Sequence, residues 1–175
     1  MIKNIIPAGV KSIVLIGFMG AGKTTAGKKL AEMLHRNFVD IDEEIEKEFQ
    51  MPASEIFSKF GEQTFREKEK EMIRRLTQKE MYIISVGGGA FLQKEIRDIC
   101  LAHCTVIFIE MSWDSWQERI PLIIASRPVL QDKSMDQIFE LFKARQEIYN
   151  YHHKKISADT LDPEETAAAI AKIIE

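Results

Sequence analysis

Ile13 to Gly27 reads IVLIGFMGAGKTTAG, and this stretch decides the fold. Its apolar head, within Ser12 to Gly17, reads as a buried strand. A glycine-rich turn follows, and then a helical apolar pattern from about Gly22 to Leu34. Inside it, Gly17-Phe18-Met19-Gly20-Ala21-Gly22-Lys23-Thr24 fits G-x-x-x-x-G-K-[ST] at every fixed position, in the strand–loop–helix context that the motif requires. Glycines let the backbone curl so that successive N–H groups point inward, and the following helix adds the positive end of its dipole. The backbone of Gly20, Ala21, Gly22, Lys23, Thr24 and Thr25 is therefore expected to hold phosphates. Lys23 is expected to reach the β- and γ-phosphates, and Thr24 to offer its hydroxyl to Mg²⁺. A glycine turn with a merely solvated lysine would explain the residues, but not the spacing and context together.

Beyond this loop, short apolar runs alternate with longer amphipathic ones. Phe38–Asp42, Met81–Gly87 and Thr105–Met111 read as further strands, with a weaker fifth at Lys154–Asp159. Helical patterns cover about Gly22–Leu34, Asp42–Phe49, Ser54–Phe60, Glu62–Thr77, Lys94–Leu101, Trp113–Arg119, Met135–Tyr149 and Pro163–Ile174. Near-continuous apolar strands between helices predict a parallel sheet with helices on both faces. Ile120–Ser134 fits neither period and is expected to be irregular.

The chain's 175 residues, 45% hydrophobic and 29% charged, suit one globular domain over residues 1–175. A formal net charge of −3 argues against a nucleic-acid partner, which needs a basic surface. The apolar run at 12–22 is too short to span a membrane and is flanked by Lys11 and Lys23, and no secretory cleavage pattern follows it. A cytoplasmic monomer without membrane contact is the expectation. Cys100 and Cys104, even with His103 between them, make a poor zinc set and read as buried small hydrophobes.

The use made of the nucleotide narrows next. A switch GTPase needs N-K-x-D and D-x-x-G, and neither string occurs. The third strand instead runs into Gly87-Gly88-Gly89, at the strand end where doubly wound sheets bind ligands; such glycines leave room for a ligand to touch backbone, or form a plain turn. Asp40 and Asp42 share a face if both lie in the second strand, although Asp42 could also cap the next helix. One carboxylate near Thr24 could hold a water on Mg²⁺ while the other faces an alcohol acceptor. In Phe65-Arg66-Glu67-Lys68-Glu69, Arg66 and Glu69 lie on one helix face. They form either a surface ion pair or an arginine held by its neighbour to grip a carboxylate.

With GFMGAGKTT, FVDIDEEIE, EIFSKFGEQTFREKEKE, SVGGGAFL, RPVL and RQEIY in this order, the chain resembles the shikimate kinase family along nearly its whole length. The resemblance implies a P-loop three-layer α/β/α fold with a five-stranded parallel sheet, of the nucleoside-monophosphate-kinase-like class. It implies ATP-dependent phosphorylation of the 3-hydroxyl of shikimate, with Mg²⁺, on the way to aromatic amino acids. By position, Asp42, Arg66, Gly88 and Arg145 match shikimate-contacting residues. Asp40 matches the carboxylate near magnesium, Arg127 the lid arginine that meets the phosphates, and Arg119 falls near a second nucleotide-side arginine. Lys23, Asp42 and Arg127 are then the catalytic set, about 42–77 the acceptor-binding helices, and about 120–134 the lid. The chain departs from the family pattern at Glu147, where proline is usual, at Val129 for leucine, and in the apolar Pro121–Ser126 segment. Two rival readings stand beside this one: another small-molecule kinase, such as one for gluconate or a nucleoside monophosphate, and a nucleotide-binding module without transfer activity. The second has no use for an acceptor-side carboxylate and arginine.

Overall fold

The computed structural model describes residues 9–174; residues 1–8 and Glu175, the ends of the expected domain, lie outside that range. Five parallel strands form one sheet in the order β2-β3-β1-β4-β5: β1 Ile13–Ile16, β2 Asn37–Asp40, β3 Tyr82–Ser85, β4 Thr105–Glu110 and β5 Lys154–Ser157. The three inner strands are the apolar ones. Ile13 to Ile16 are all buried, as are Ile83, Ile84 and Val106 to Ile109. β2 and β5, at the edges, carry the more polar sequences NFVD and KKIS.

The helices are α1 Lys23–Leu34, α2 Ile41–Phe49, α3 Ala53–Phe60, α4 Glu62–Leu76, α5 Gly88–Phe91, α6 Lys94–His103, α7 Trp113–Gln117, α8 Ile120–Ile123, α9 Met135–Tyr149 and α10 Pro163–Ile174. The connection through α1 runs from β1 out to β2, whereas that through α5 and α6 runs from β3 to β4 in the opposite direction. Right-handed crossovers in opposite directions put their helices on opposite faces of the sheet. α10 packs on α1, and α4 packs on α6. Because the connections leaving β1 and β3 part company, a crevice opens at the carboxyl ends of those two strands. Both the Gly17–Thr24 loop and Gly87–Gly89 stand there.

Two sequence expectations are corrected and one alternative is decided. β2 ends at Asp40 rather than Asp42, because the Asp40 carboxylate accepts a hydrogen bond from the Glu43 N–H at 3.1 Å and starts α2 at Ile41. Asp40 is therefore the cap, and Asp42 sits in the first helical turn instead of sharing a strand face with it. Gly87–Gly89 is not a plain turn, since α5 begins at Gly88. The stretch Ile120–Ser134 is not irregular throughout: it holds α8 and two 3₁₀ turns, Ile124–Ser126 and Pro128–Leu130. α9 then starts at a capping box between Ser134 and Gln137. No helix among the described residues is long and apolar enough to cross a membrane.

Candidate active site

The phosphate loop ends in a helix start that is left open. Gly22 caps α1 in the left-handed conformation at φ 89°, with no side-chain hydrogen bond to the first turn and no acidic residue in it. The first intrahelical bond is Ala26 N–H to the Gly22 carbonyl. The N–H groups of Lys23, Thr24 and Thr25 therefore keep their donor capacity, at the positive end of the helix. Lys23 Nζ donates to the Gly17 carbonyl at 2.6 Å and to that of Phe18 at 3.4 Å, so its ammonium rests on the loop's own backbone. Burial, reinforced by the Arg127 guanidinium, pushes Lys23 down to about 8 against the pull of Asp42 and Asp40. A dianionic group entering the loop reverses that balance.

Beside the loop, the Thr24 hydroxyl donates to Asp40 Oδ2 at 2.7 Å, while Asp40 Oδ1 is held by the Glu43 N–H. One carboxylate thus orients the threonine and starts a helix. No cluster of three or more histidine, cysteine or acidic side chains among the described residues could hold a metal unaided. A hydroxyl with one carboxylate suits an ion that takes its remaining ligands from phosphate and water, which is how Mg²⁺ binds.

The residues expected on the acceptor side come from α2, α4, α5 and α9. Asp42 Oδ1 is buried without a hydrogen-bond partner. Burial first, and then the Asp40 carboxylate, raise its pKa above the ordinary carboxylate range, although Lys23, Arg127 and Arg66 all act to lower it. Arg66 Nη1 donates to Glu69 Oε2 at 2.8 Å, and Glu62 touches the same guanidinium from the other side. Glu69 is 1% exposed and also accepts from Gln93 Nε2 at 3.3 Å. Burial drives Glu69 up to about 7, with Arg66 opposing. The surface-pair alternative for Arg66 and Glu69 therefore fails, because the carboxylate is in the interior and the arginine is braced by it.

Gly87, Gly88 and Gly89 explain how these groups converge. A Cβ on Gly87 would lie 2.6 Å from Asp42 Oδ2, one on Gly88 would collide with Arg145 Nη1, and one on Gly89 with the Arg66 guanidinium. The three glycines make room for three side chains of the protein itself, brought in from three different helices. From sequence, room for a ligand and a plain turn stand as alternatives, and family position singles out Gly88 alone. The Tyr149 hydroxyl, one turn beyond Arg145 on α9, is buried beside the Arg145 guanidinium and lies 2.8 Å from the same Gly88 position.

One cleft of about 1280 Å³ is lined by Gly20, Gly22, Lys23, Thr24, Thr25, Asp40, Asp42, Arg66, Gly88, Arg119, Arg127 and Arg145. Of the residues read from sequence, Ala21 alone stands outside it. Its side chain is buried and lines a small neighbouring pocket with Gly22, Arg119, Leu161 and Pro163. Arg127 is exposed at the cleft mouth. Arg119 does reach the phosphate loop, where Nη1 donates to the Gly20 carbonyl at 2.8 Å.

A sequence model of shikimate kinase matches residues 19–175. The chain belongs to the shikimate kinase family. The shikimate kinase of Oceanobacillus iheyensis is 49% identical over 169 residues, 97% of this chain and 92% of that one. The Bacillus subtilis shikimate kinase is 48% identical over 174 residues, covering 99% and 94%. Among solved structures, Acinetobacter baumannii shikimate kinase in complex with shikimate superposes with a TM-score of 0.86 at 32% identity, over 94% of this chain and 93% of that one. Shikimate kinase from Bacteroides thetaiotaomicron gives 0.83 at 30% identity, over 93% and 97%. The five-stranded parallel sheet is thus the shikimate kinase fold.

Sequence reasoning missed three parts of this family member's site. Gln93 braces Glu69, and no motif marks it. Gly87 and Gly89 carry close approaches that only the chain's path reveals. Trp116, within the helical pattern at Trp113–Arg119, donates its indole N–H to the Met19 carbonyl of the phosphate loop at 2.7 Å, a contact no periodicity marks.

Proposed function

We infer that this chain transfers the γ-phosphoryl group of ATP to the 3-hydroxyl of shikimate, giving shikimate 3-phosphate and ADP in the route to chorismate and the aromatic amino acids. The observation that carries the reading is a single cleft with two chemically different ends. A helix start without a side-chain cap, together with Lys23, faces phosphate. Arg66 and Arg145 face the acceptor, and the unpartnered Asp42 oxygen stands in the same cleft.

At the nucleotide end, the open N–H groups of Lys23, Thr24 and Thr25 and the Lys23 ammonium bind the phosphates. Gly20, Ala21 and Gly22 shape the loop that holds them. Arg127 swings from the exposed lid onto the γ-phosphate and spreads its charge. Thr24, with Asp40 acting through a water, would hold Mg²⁺, which would supply charge neutralisation to the phosphates. Arg119 borders the small pocket beyond the loop and flanks the nucleotide there.

At the acceptor end, the planar guanidinium groups of Arg66 and Arg145 take the shikimate carboxylate, Arg66 being held in place by Glu69. Asp42 accepts the hydrogen bond of the 3-hydroxyl, and Gly88 lets Arg145 come in close. The hydroxyl oxygen attacks phosphorus, the bond from phosphorus to the β–γ bridging oxygen breaks, and ADP leaves with its electron pair. A loose transition state asks mainly for alignment and charge neutralisation. Burial that raises the Asp42 pKa makes it a better acceptor for the hydroxyl proton as the new bond forms. The segment 120–134 closes as a lid and excludes water, the competing acceptor.

Coupled ADP release with and without shikimate tests the reading. ADP release that depends on shikimate, and does not appear with gluconate or nucleoside monophosphates, is expected. Equal ADP release with any of those acceptors would refute the acceptor assignment.

A further inference from the structure

We propose that Trp116 is a positioning residue for the phosphate loop, its indole N–H fixing the peptide plane between Met19 and Gly20 in the orientation that nucleotide binding needs. The proposal rests on the reading of that loop as the ATP site.

Trp116 is fully buried, at 0% exposure, in an aromatic cluster. Its ring meets Phe18 edge-on with centroids 4.9 Å apart, stacks on Trp113 at 5.5 Å, and lies 6.0 Å from Phe142. Phe18 is itself part of the phosphate loop. A fully buried indole N–H needs an acceptor, and here the acceptor is the Met19 carbonyl at 2.7 Å. In a trans peptide the C=O of one residue and the N–H of the next point in opposite directions, and the described residues contain no cis peptide. Anchoring the Met19 carbonyl to Trp116 therefore turns the Gly20 N–H away from α7.

Two more side chains from the same stretch press on the same spot. Arg119 holds the Gly20 carbonyl at 2.8 Å, and Ile123 lies where a Gly20 Cβ would come within 2.9 Å of its Cδ1. Trp116, Arg119 and Ile123, spaced by three and four residues, thus clamp Met19–Gly20 from one side. Gly20 takes φ 79°, a left-handed conformation with many alternatives for a glycine. The clamp removes those alternatives before the nucleotide arrives, so less ordering is left to accompany binding. Removing the N–H while keeping an aromatic ring should weaken ATP and leave shikimate alone.

The test compares Trp116→Phe with Trp113→Phe, which removes similar aromatic volume next door but no bond to the loop. Steady-state kinetics on the full chain should show the KM for ATP rising about three- to tenfold in Trp116→Phe, the value of one buried hydrogen bond. The KM for shikimate should stay within about twofold, and Trp113→Phe should leave both unchanged. These are the chain's only tryptophans, so ¹⁵N-indole labelling gives two resonances, which Trp113→Phe assigns. In the wild type, the Trp116 indole resonance should move as Mg-ATP saturates the protein, and the Trp113 resonance should move less. An unchanged KM for ATP in folded Trp116→Phe, an equal rise in both KM values, or a Trp116 resonance that stays still at saturation would overturn the proposal. The wild-type titration decides the matter if Trp116→Phe does not fold. Failure of the wild type to bind Mg-ATP at all would sink the nucleotide reading together with this one.

Discussion

Gly89→Ala separates stability from acceptor binding more cleanly than any substitution of a charged residue. Gly89 is the second residue of α5 and does not need a positive φ, so alanine fits its backbone. On conformational grounds alone the change stabilises by about 0.4–1 kcal/mol, because alanine loses less freedom on folding. The added methyl, however, would stand 2.5 Å from Arg66 Nη1 and 2.7 Å from its Cζ, well inside contact distance. Arg66 is a quarter exposed at its side chain and can swing aside. In doing so it slackens the bond to Glu69, which offsets part of the conformational gain. Tm should therefore change by no more than about 4 °C, roughly what 1 kcal/mol amounts to in a chain of this size. A displaced guanidinium cannot take a carboxylate with two parallel bonds. Losing such a charge-assisted contact costs about 1.5–3 kcal/mol, or roughly ten- to hundredfold in shikimate affinity. Calorimetric titration of shikimate into wild type and variant, paired with scanning calorimetry, reads both quantities. A shikimate Kd within twofold of wild type would show that the close approach of Gly89 to Arg66 does not set the acceptor site.

Further predictions follow from the titrating groups and the lid. Free Lys23 sits at about 8 and is pulled up by phosphate, so ATP binding between about pH 8 and 9 should take up protons. Titrations in buffers of different ionisation heat measure this, and zero uptake at pH 8.5 would refute it. Glu69, raised from 4.5 to about 7 in the folded protein, binds more protons folded than unfolded, so its burial destabilises increasingly as pH rises from 4.5 to 7 and fully above that. Wild type should accordingly lose ground to Glu69→Gln in Tm across that window, and a Tm difference independent of pH would contradict the assignment. Amides of Ile120–Ser134 should exchange fast without ligand and slow when ATP and shikimate are both bound. Equal protection in the two states would mean that no lid closes.

What the sequence determined is what local pattern can carry. Near-continuous apolar runs are stable only in the middle of a parallel sheet, so Ile13–Ile16 and Thr105–Glu110 were legible as inner strands. The spacing of glycines and Lys23 is a backbone instruction that acts within one loop, and the start of α10 at Pro163 is set by neighbours three residues away. Family motifs then marked Asp42, Arg66, Arg127 and Arg145 one at a time. Only the tertiary structure decided which of these meet. A one-dimensional pattern gave no reason for Gly87, Gly88 and Gly89 to face Asp42, Arg145 and Arg66 in turn, since those side chains arrive from α2, α9 and α4. Nor did it pair His153, whose Nδ1 accepts from the Val106 N–H at 2.9 Å, or Trp116 with Met19, 97 positions earlier. The boundary between Asp40 and Asp42 was misplaced for the same reason in miniature: both are good caps, and the one whose carboxylate can also hold Thr24 took the role. Periodicity and propensity are properties of neighbours in the chain. Close approach and burial, which set the Glu69 and Lys23 pKa values and leave the Asp42 oxygen unpartnered, belong to neighbours in space.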